Sequence, residues 1–130
     1  MGDFEKTLAL SSSAMNAQTK RLRLVTENIA NVDTPGYRRK TTSFETVFDR
    51  NADSSVLKTG RVNLDPSERE KIFDPGHPLA DASGNYLGSN VDLVIEIADA
   101  RSSQRSYEAN LRMFDQARNM ASAALELLRR

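Results

Sequence analysis

The distribution of helix-breaking residues constrains the fold of this chain most. All four prolines and five of the six glycines lie between Pro35 and Gly88, and the flanking regions contain only one further glycine, Gly2. Proline and glycine are the strongest interruptions of regular structure, so each flank can form one continuous helix. The sequence therefore predicts a mainly α fold in three parts. These parts are an N-terminal helical region at 1–34, a central region at 35–90 and a C-terminal helical region at 91–130.

Apolar residues in both flanks recur at alternating steps of three and four, which is the spacing of a narrow helical stripe. One stripe runs from Phe4 to Ile29 within a helix expected at Asp3–Asn31, and the other runs from Ile97 to Leu128 after an N-cap at Asn90 or Asp92. Helices of about 43 and 55 Å would extend beyond a compact globule of this size. The stripes therefore predict that the two helices pair as a coiled coil, with each other, with copies of themselves or with related chains.

The central region has the features of loops that contain short β-strands or a hairpin. Its expected elements are an extended segment at Tyr37–Val47, a mobile polar loop at 51–60, short strands around Val62 and Leu64 and near Ile72, and a hairpin turn at Asp81–Asn85 flanked by Leu79 and by Tyr86 and Leu87.

Composition argues against most kinds of chemistry. The chain has no cysteine, and its one histidine, His77, lies in a Pro-Gly turn without a second histidine to partner it. We therefore predict no catalytic site, no metal site, no cofactor and no small-molecule substrate. The net charge of zero argues against nucleic acid as a partner. The basic cluster Arg38-Arg39-Lys40 is expected to pair with carboxylates instead.

The end of the first helix contains the most informative polar residues. Asn28 and Asn31 are one helical turn apart, and a buried amide can fix the register of a helical seam. Thr34-Pro35-Gly36-Tyr37 then ends the helix and begins an extended segment. Two interpretations stay open at this point, an ordinary helix stop or a register-fixing junction.

Four segments of the chain resemble a known family. Ala30–Tyr37, with the sequence ANVDTPGY, resembles the signature of flagellar rod, hook and hook-associated axial proteins. Phe73–Gly84, Asn90–Leu93 and Arg105–Leu111 are similar to segments of the proximal-rod members. The chain therefore resembles the bacterial flagellar basal-body rod protein family, whereas residues 49–71 match none of its patterns.

The resemblance implies a non-enzymatic subunit of the proximal rod, the drive shaft of the flagellar basal body. Its terminal helices would form a coiled coil in a helical tubular assembly, with the central region as an outer extension. The implied partners are copies of itself, other rod proteins, the membrane-embedded basal-body ring with its rod adaptor, and the flagellar type III export gate. The implied location is the periplasm-spanning rod, reached from the cytoplasm without a cleaved signal peptide.

The stripes and the signature together give two sets of predicted site residues. The predicted assembly residues are Leu22, Val25, Asn28, Ile29, Asn31, Pro35, Gly36, Tyr37, Tyr107, Asn110, Leu111, Phe114, Leu125 and Leu128. Phe4 and Leu8 resemble the Phe-x-x-x-hydrophobic pattern of export-gate recognition, although they would also simply begin the first stripe.

Two other functions fit parts of the sequence. A cytoplasmic antiparallel coiled-coil adaptor would explain the stripes, and the start of the chain lacks a Sec-type signal peptide. The adaptor gives no reason for the segment Asp74–Gly84. A small nucleic-acid binder would use Arg38, Arg39 and Lys40, but the neutral net charge argues against it.

Overall fold

Two long helices dominate the computed structural model, which describes residues 2–129. Helix α1 spans Gly2–Ala30 and helix α2 spans Leu93–Arg129. They contain 29 and 37 residues, so about half of the chain is helical, as the positions of proline and glycine predict. Asp92 caps α2, because its Oδ1 accepts the backbone N–H of Val94 at 3.0 Å. No described helix combines the length and the apolar character needed to cross a membrane.

The central region forms two separate antiparallel hairpins. Strand β1, Lys40–Asp49, pairs with strand β2, Ser54–Leu64, and the register is irregular between Thr42 and Phe44. The short strands β3, Lys71–Phe73, and β4, Asn85–Leu87, form the second pair. The prediction of central strands is confirmed.

The prediction of a mobile loop at 51–60 is wrong, because strand β2 begins at Ser54. Val56 is buried in this strand, and the backbone N–H of Leu57 donates to Oγ of Ser13 on α1 at 3.0 Å. The strand packs one face against α1 and leaves polar side chains such as Lys58 exposed. The polar composition of the segment therefore reflects the exposed face of a strand.

The second hairpin differs from the prediction in one strand. Its turn precedes Tyr86 and Leu87 as expected, but β4 pairs with β3 and not with the segment at Leu79. Pro75 and Pro78 explain the difference, because proline has no backbone N–H to donate to a strand pair.

Helices α1 and α2 pack antiparallel, and several buried positions of each are spaced by multiples of seven residues. These positions are Ser11, Gln18 and Val25 on α1, and Glu96, Ser103 and Ala117 on α2. Most of these side chains are small or polar, so the two helices approach each other without a continuous row of large apolar residues.

Part of the apolar stripe predicted on α2, including Leu111 and Leu125, lies one residue away from this buried row, whereas Ala100, Phe114 and Ala121 of the same stripe are half-buried. Leu111 is consequently 41% exposed and Leu125 is 53% exposed. A displacement of one residue rotates a side chain by about 100° around the helix axis, which moves it from the seam to the flank. Pairing within one chain therefore leaves much of the apolar surface of α2 uncovered.

The end of α2 extends beyond the first described residue of α1. Phe4 of α1 lies beside Ala117 and Met120 of α2, so residues 121–129 have no described α1 residue opposite them. This segment is about 13 Å long, and we call it the α2 extension. Its leucines, Leu125, Leu127 and Leu128, are all exposed.

Candidate assembly site

A polar junction joins the end of α1, the start of β1 and the start of α2. We define the junction by Asn28, Tyr37, Arg39, Lys40 and Glu96. Asn28 and Glu96 are almost completely buried, at 1% and 0% exposure. A buried polar group stabilises a fold only when its hydrogen bonds are made, so the partners of these two side chains decide what the junction does.

The side-chain amide of Asn28 makes four hydrogen bonds. Its Oδ1 accepts the hydroxyl of Tyr37 at 2.8 Å and the backbone N–H of Lys40 at 2.9 Å. Its Nδ2 donates to the backbone oxygen of Lys40 at 2.9 Å and to Oε2 of Glu96 at 3.3 Å. Both lone pairs and both protons of the amide are used. Asn28 therefore fixes the start of β1 and the start of α2 relative to the end of α1.

The guanidinium of Arg39 bridges three carboxylates. Its Nε donates to Glu96, its Nη2 lies 2.7 Å from Oδ2 of Asp99, and its Nη1 lies 3.8 Å from Asp65. Asp99 also accepts a bond from Arg21 of α1 at 3.3 Å. The buried charge of Glu96 is thus compensated directly, as a stable buried carboxylate requires.

The pKa values of this region agree with the geometry. Burial, followed by the charge of Glu27, raises the pKa of the Tyr37 phenol, so it remains a donor to Asn28. Burial lowers the pKa of Arg39, but its bond to Glu96 and the surrounding carboxylates outweigh this effect and leave the pKa raised. Hydrogen bonds from Ser67 lower the pKa of Asp65, which keeps this partner of Arg39 ionised.

The signature segment at 30–37 forms a tight turn that is held to the second hairpin. Thr34 donates its backbone N–H to the oxygen of Asn31 at 3.0 Å, which closes the end of α1. The backbone N–H of Gly36 then lies 3.0 Å from the oxygen of Leu87 and 3.1 Å from that of Gly88. The hydroxyl of Ser89 donates to the backbone oxygen of Val32. The turn therefore connects α1 to β4 and to the chain entering α2.

Gly36→Ala is expected to lower the free energy of unfolding by about 1–2 kcal/mol. Gly36 has φ = 77°, a left-handed conformation that is costly for a residue with a side chain. The added Cβ would meet only Nη1 of Arg69 at 3.7 Å, so the expected loss comes from the backbone. Urea denaturation measures it. Gly76→Ala is the control, since Gly76 lacks a positive φ, and equal losses in the two variants would contradict the argument.

The structure brings some of the predicted site residues together and separates others. Asn28 and Tyr37 are bonded to each other in the junction, with Val25 buried one turn before and Asn31 one turn after. Pro35 and Gly36 are exposed at the adjacent turn. The remaining predicted residues lie along the two helices. Leu22, Ile29, Asn110 and Phe114 are half-buried, whereas Tyr107, Leu111, Leu125 and Leu128 are exposed.

Sequence reasoning missed Glu96 and Asn90 as junction residues. Glu96 is the one acidic residue in the apolar run Leu93–Ile97, which was the available signal for a buried and paired carboxylate. Asn90 was considered only as a helix cap, but its Oδ1 accepts the backbone N–H of Arg39 at 2.6 Å. Arg39 and Lys40 of the basic cluster pair with carboxylates of the same chain, as expected, whereas Arg38 donates to the backbone oxygens of Asp65 and Ser67. Among residues 2–129 there is no group of three potential metal ligands.

Comparisons with known proteins match both ends of the chain. The family model described as "Flagella basal body rod protein" matches residues 8–38, and the model described as "Flagellar basal body rod FlgEFG protein C-terminal" matches residues 82–127. The first model therefore covers most of α1 and the turn that follows it, and the second covers β4 and most of α2. The flagellar basal-body rod protein FlgC of Agrobacterium fabrum is 38% identical over 127 residues, with 92% of this chain and 91% of the relative covered. FlgC of Salmonella typhimurium is 32% identical, with 91% and 92% covered. The chain belongs to the FlgC family of flagellar basal-body rod proteins.

Proposed function

We propose that this structural subunit of the proximal rod assembles helically through its two terminal helices. The observation that carries this proposal is the exposed apolar surface along α2, in a chain whose two helices are joined at one end by the hydrogen bonds and ion pairs of the polar junction. The junction fixes how α1 and α2 are aligned in one molecule. The exposed residues, among them Leu111 and Leu125, are then available to neighbouring subunits. In this proposal the coiled coil is completed between chains, because one chain leaves its leucines uncovered.

The proposed partners follow from the same surface. Copies of this chain and other rod proteins would cover the flanks of α1 and α2, and the membrane-embedded ring with its rod adaptor would hold the assembly at its base. Contacts between different surfaces of successive subunits propagate into a helix instead of closing into a dimer. Such an array suits a shaft that transmits torque, because each subunit is held by several modest contacts.

Leu111→Asp is expected to abolish rod assembly and swimming while lowering the stability of the free chain by only about 1 kcal/mol. Leu111 is 41% exposed in the single chain, so the charge remains hydrated there. In an assembled seam the same charge would be buried without a partner, which is costly. Motility in soft agar and recovery of the chain in purified basal bodies measure assembly, and urea denaturation measures stability.

The control for this experiment places the same charge on a polar surface of the same helix. Ser102 is exposed on α2, so Ser102→Asp is expected to leave both stability and swimming close to those of the parent chain. Normal swimming of cells with Leu111→Asp would show that this face of α2 is not an assembly surface.

We also propose that Phe4 and Leu8 are recognised by the export gate before the chain folds. Both residues are half-buried in the folded chain, and Phe4 lies beside Ala117 and Met120 of α2. The pair is therefore accessible to a receptor mainly while the chain is unfolded. Two apolar side chains on an unfolded segment would give a weak contact, which suits a substrate that must be released.

Phe4→Ala is expected to reduce export of the chain at least ten-fold in a strain that cannot build the rod. The loss is expected because a decrease of about 1.4 kcal/mol in the free energy of binding to the gate corresponds to a ten-fold weaker affinity. Quantitative immunoblotting of periplasmic and cytoplasmic fractions measures export. Met113→Ala removes a neighbouring apolar side chain on the opposite helix and serves as the control. Undiminished export of the Phe4 variant would leave Phe4 as a packing residue alone.

A further inference from the structure

The single histidine of the chain makes two side-chain contacts outside the polar junction. His77 lies in the loop between β3 and β4, and its ring stacks on that of Tyr86 with the centroids 3.9 Å apart and the planes 12° from parallel. Its Nδ1 accepts the backbone N–H of Leu79 at 3.1 Å. The backbone oxygen of His77 also accepts the N–H of Ala80 at 3.0 Å, which closes a β-turn with Pro78 at its second position. The imidazole therefore holds this turn, residues 77–80, beside β4.

The bond to Leu79 requires one particular form of the imidazole. A ring nitrogen accepts a hydrogen bond only when it carries no proton, so the bond requires a neutral ring with its proton on Nε2. An imidazolium carries protons on both nitrogens. Two N–H groups would then face each other across the 3.1 Å between Nδ1 of His77 and the backbone nitrogen of Leu79. The arrangement is therefore incompatible with a second proton, and a protonated ring has to turn away from Leu79.

Charged groups of both signs surround the turn. The loop itself contributes Asp74 and Asp81, β3 contributes Lys71, and the segment before β3 contributes Arg69. The titratable group on β4 is Tyr86, on which the ring stacks. The two carboxylates and the two cations sum to zero net charge. No excess of one sign therefore holds the ring in place, and the hydrogen bond at Nδ1 is the contact that a second proton removes.

We propose that His77 is a pH-sensitive latch on this turn. In mildly acidic solution, where an imidazole takes up a second proton, the ring releases the backbone N–H of Leu79 and the turn loosens. The rest of the hairpin stays formed, because its bonds do not involve the ring. These bonds are the pairing of β3 with β4 and those that Oδ1 of Asp81 accepts from the backbone N–H groups of Ser83 and Asn85.

The latch acts on a surface next to the tight turn at the end of α1. Leu79 is 63% exposed, and it lines a shallow depression together with Pro35, Gly36 and Tyr86. Loosening the turn changes how Leu79 is presented on this surface. The inference goes beyond the proposed assembly function, and the surface is open in the single chain, so the latch can be measured without assembly.

Nuclear magnetic resonance of the full-length chain tests the latch, because a single histidine gives one set of imidazole signals. Ring nitrogen shifts measure the protonation of Nδ1 and Nε2. Amide hydrogen exchange, corrected for the intrinsic rate at each pH, measures the protection of the Leu79 N–H. Between about pH 8 and pH 5, this protection is expected to fall about five-fold in step with protonation of the ring. The amide of Ser83, bonded to Asp81 at 2.8 Å, is the internal control and is expected to keep its protection.

Two substitutions distinguish the latch from a general effect of pH on the loop. His77→Asn keeps an oxygen that can accept the N–H two residues further on but does not titrate, so Leu79 is expected to stay protected throughout this pH range. His77→Ala removes the acceptor, so protection is expected to be low at every pH. Three results would overturn the inference. They are unchanged protection of Leu79 while the ring becomes protonated, a neutral ring with its proton on Nδ1, and an equal fall in protection in His77→Asn.

Discussion

Glu96→Ala is expected to lower the free energy of unfolding by about 3–5 kcal/mol, the usual cost of removing one partner of a buried ion pair. Glu96 is 0% exposed, and its carboxylate binds both Arg39 and Asn28. The substitution leaves the guanidinium of Arg39 with its more distant or more exposed partners, and it leaves one proton of the Asn28 amide without an acceptor. Denaturation in urea, followed by circular dichroism at 222 nm, measures the loss.

Two further variants distinguish the loss of the buried ion pair from the general effect of removing a carboxylate. Glu126 is exposed near the end of α2, and Glu126→Ala is expected to change stability by less than about 0.5 kcal/mol. The double variant Arg39→Met with Glu96→Leu removes both charges and is expected to be more stable than Glu96→Ala alone. If Glu96→Ala matched Glu126→Ala, the junction would not hold the helices together.

The two helices could be predicted because their signal is spread over many residues. The absence of proline from both flanks and the periodicity of apolar residues point to the same elements, and a single irregular position changes neither. The strand β2 could not be predicted in the same way. Its segment has one buried apolar residue, Val56, and its remaining stabilisation comes from pairing with β1 and from contact with α1. Such long-range pairings are not encoded in local composition.

The residues of the candidate site also differ in whether the local sequence is enough to identify them. Asn28 could be identified from its position one turn before the end of a helix. The partners of Asn28 and Glu96 could not, because they are 9 to 68 residues distant in sequence. On α2 several buried positions lie one residue before the predicted stripe, whereas the stripe predicted on α1 contains the buried Ser11, Gln18 and Val25. In the first turn of α2 the buried position is occupied by Glu96, whose carboxylate binds Asn28 of α1 and Arg39.

The displaced seam has a consequence for assembly. A helix pair that buried its leucines internally would leave little exposed apolar surface with which to bind other chains. Here small and polar residues fill the internal seam, and apolar side chains such as Leu111 and Leu125 remain on the outside. The junction supplies the specificity that the small seam lacks, because its directional bonds permit one alignment of the two helices. In the proposed assembly, the polar junction would align the two helices within a chain and the exposed leucines would contact neighbouring chains.

Asn28→Asp is expected to lower the free energy of unfolding by about 2–4 kcal/mol at neutral pH, although the side chains have almost the same shape. The two bonds that the amide oxygen accepts, from Tyr37 and from the backbone N–H of Lys40, can still form. The two donated bonds are lost. In their place a second carboxylate faces Glu96 at a site where the donor and acceptor atoms were 3.3 Å apart.

The loss from Asn28→Asp is expected to depend on pH with a definite sign. Burial and the charge of Glu96 would raise the pKa of the introduced carboxyl in the folded chain above its value of about 3.9 in the unfolded chain. The difference in stability from the parent chain is therefore small below about pH 4 and grows as the pH rises toward 7. Urea denaturation of both chains at several pH values measures this difference. Asn63→Asp on the exposed part of β2 is expected to show no such trend. A loss independent of pH would mean that the two lost donated hydrogen bonds account for the effect, and that the charge of the introduced carboxylate beside Glu96 does not.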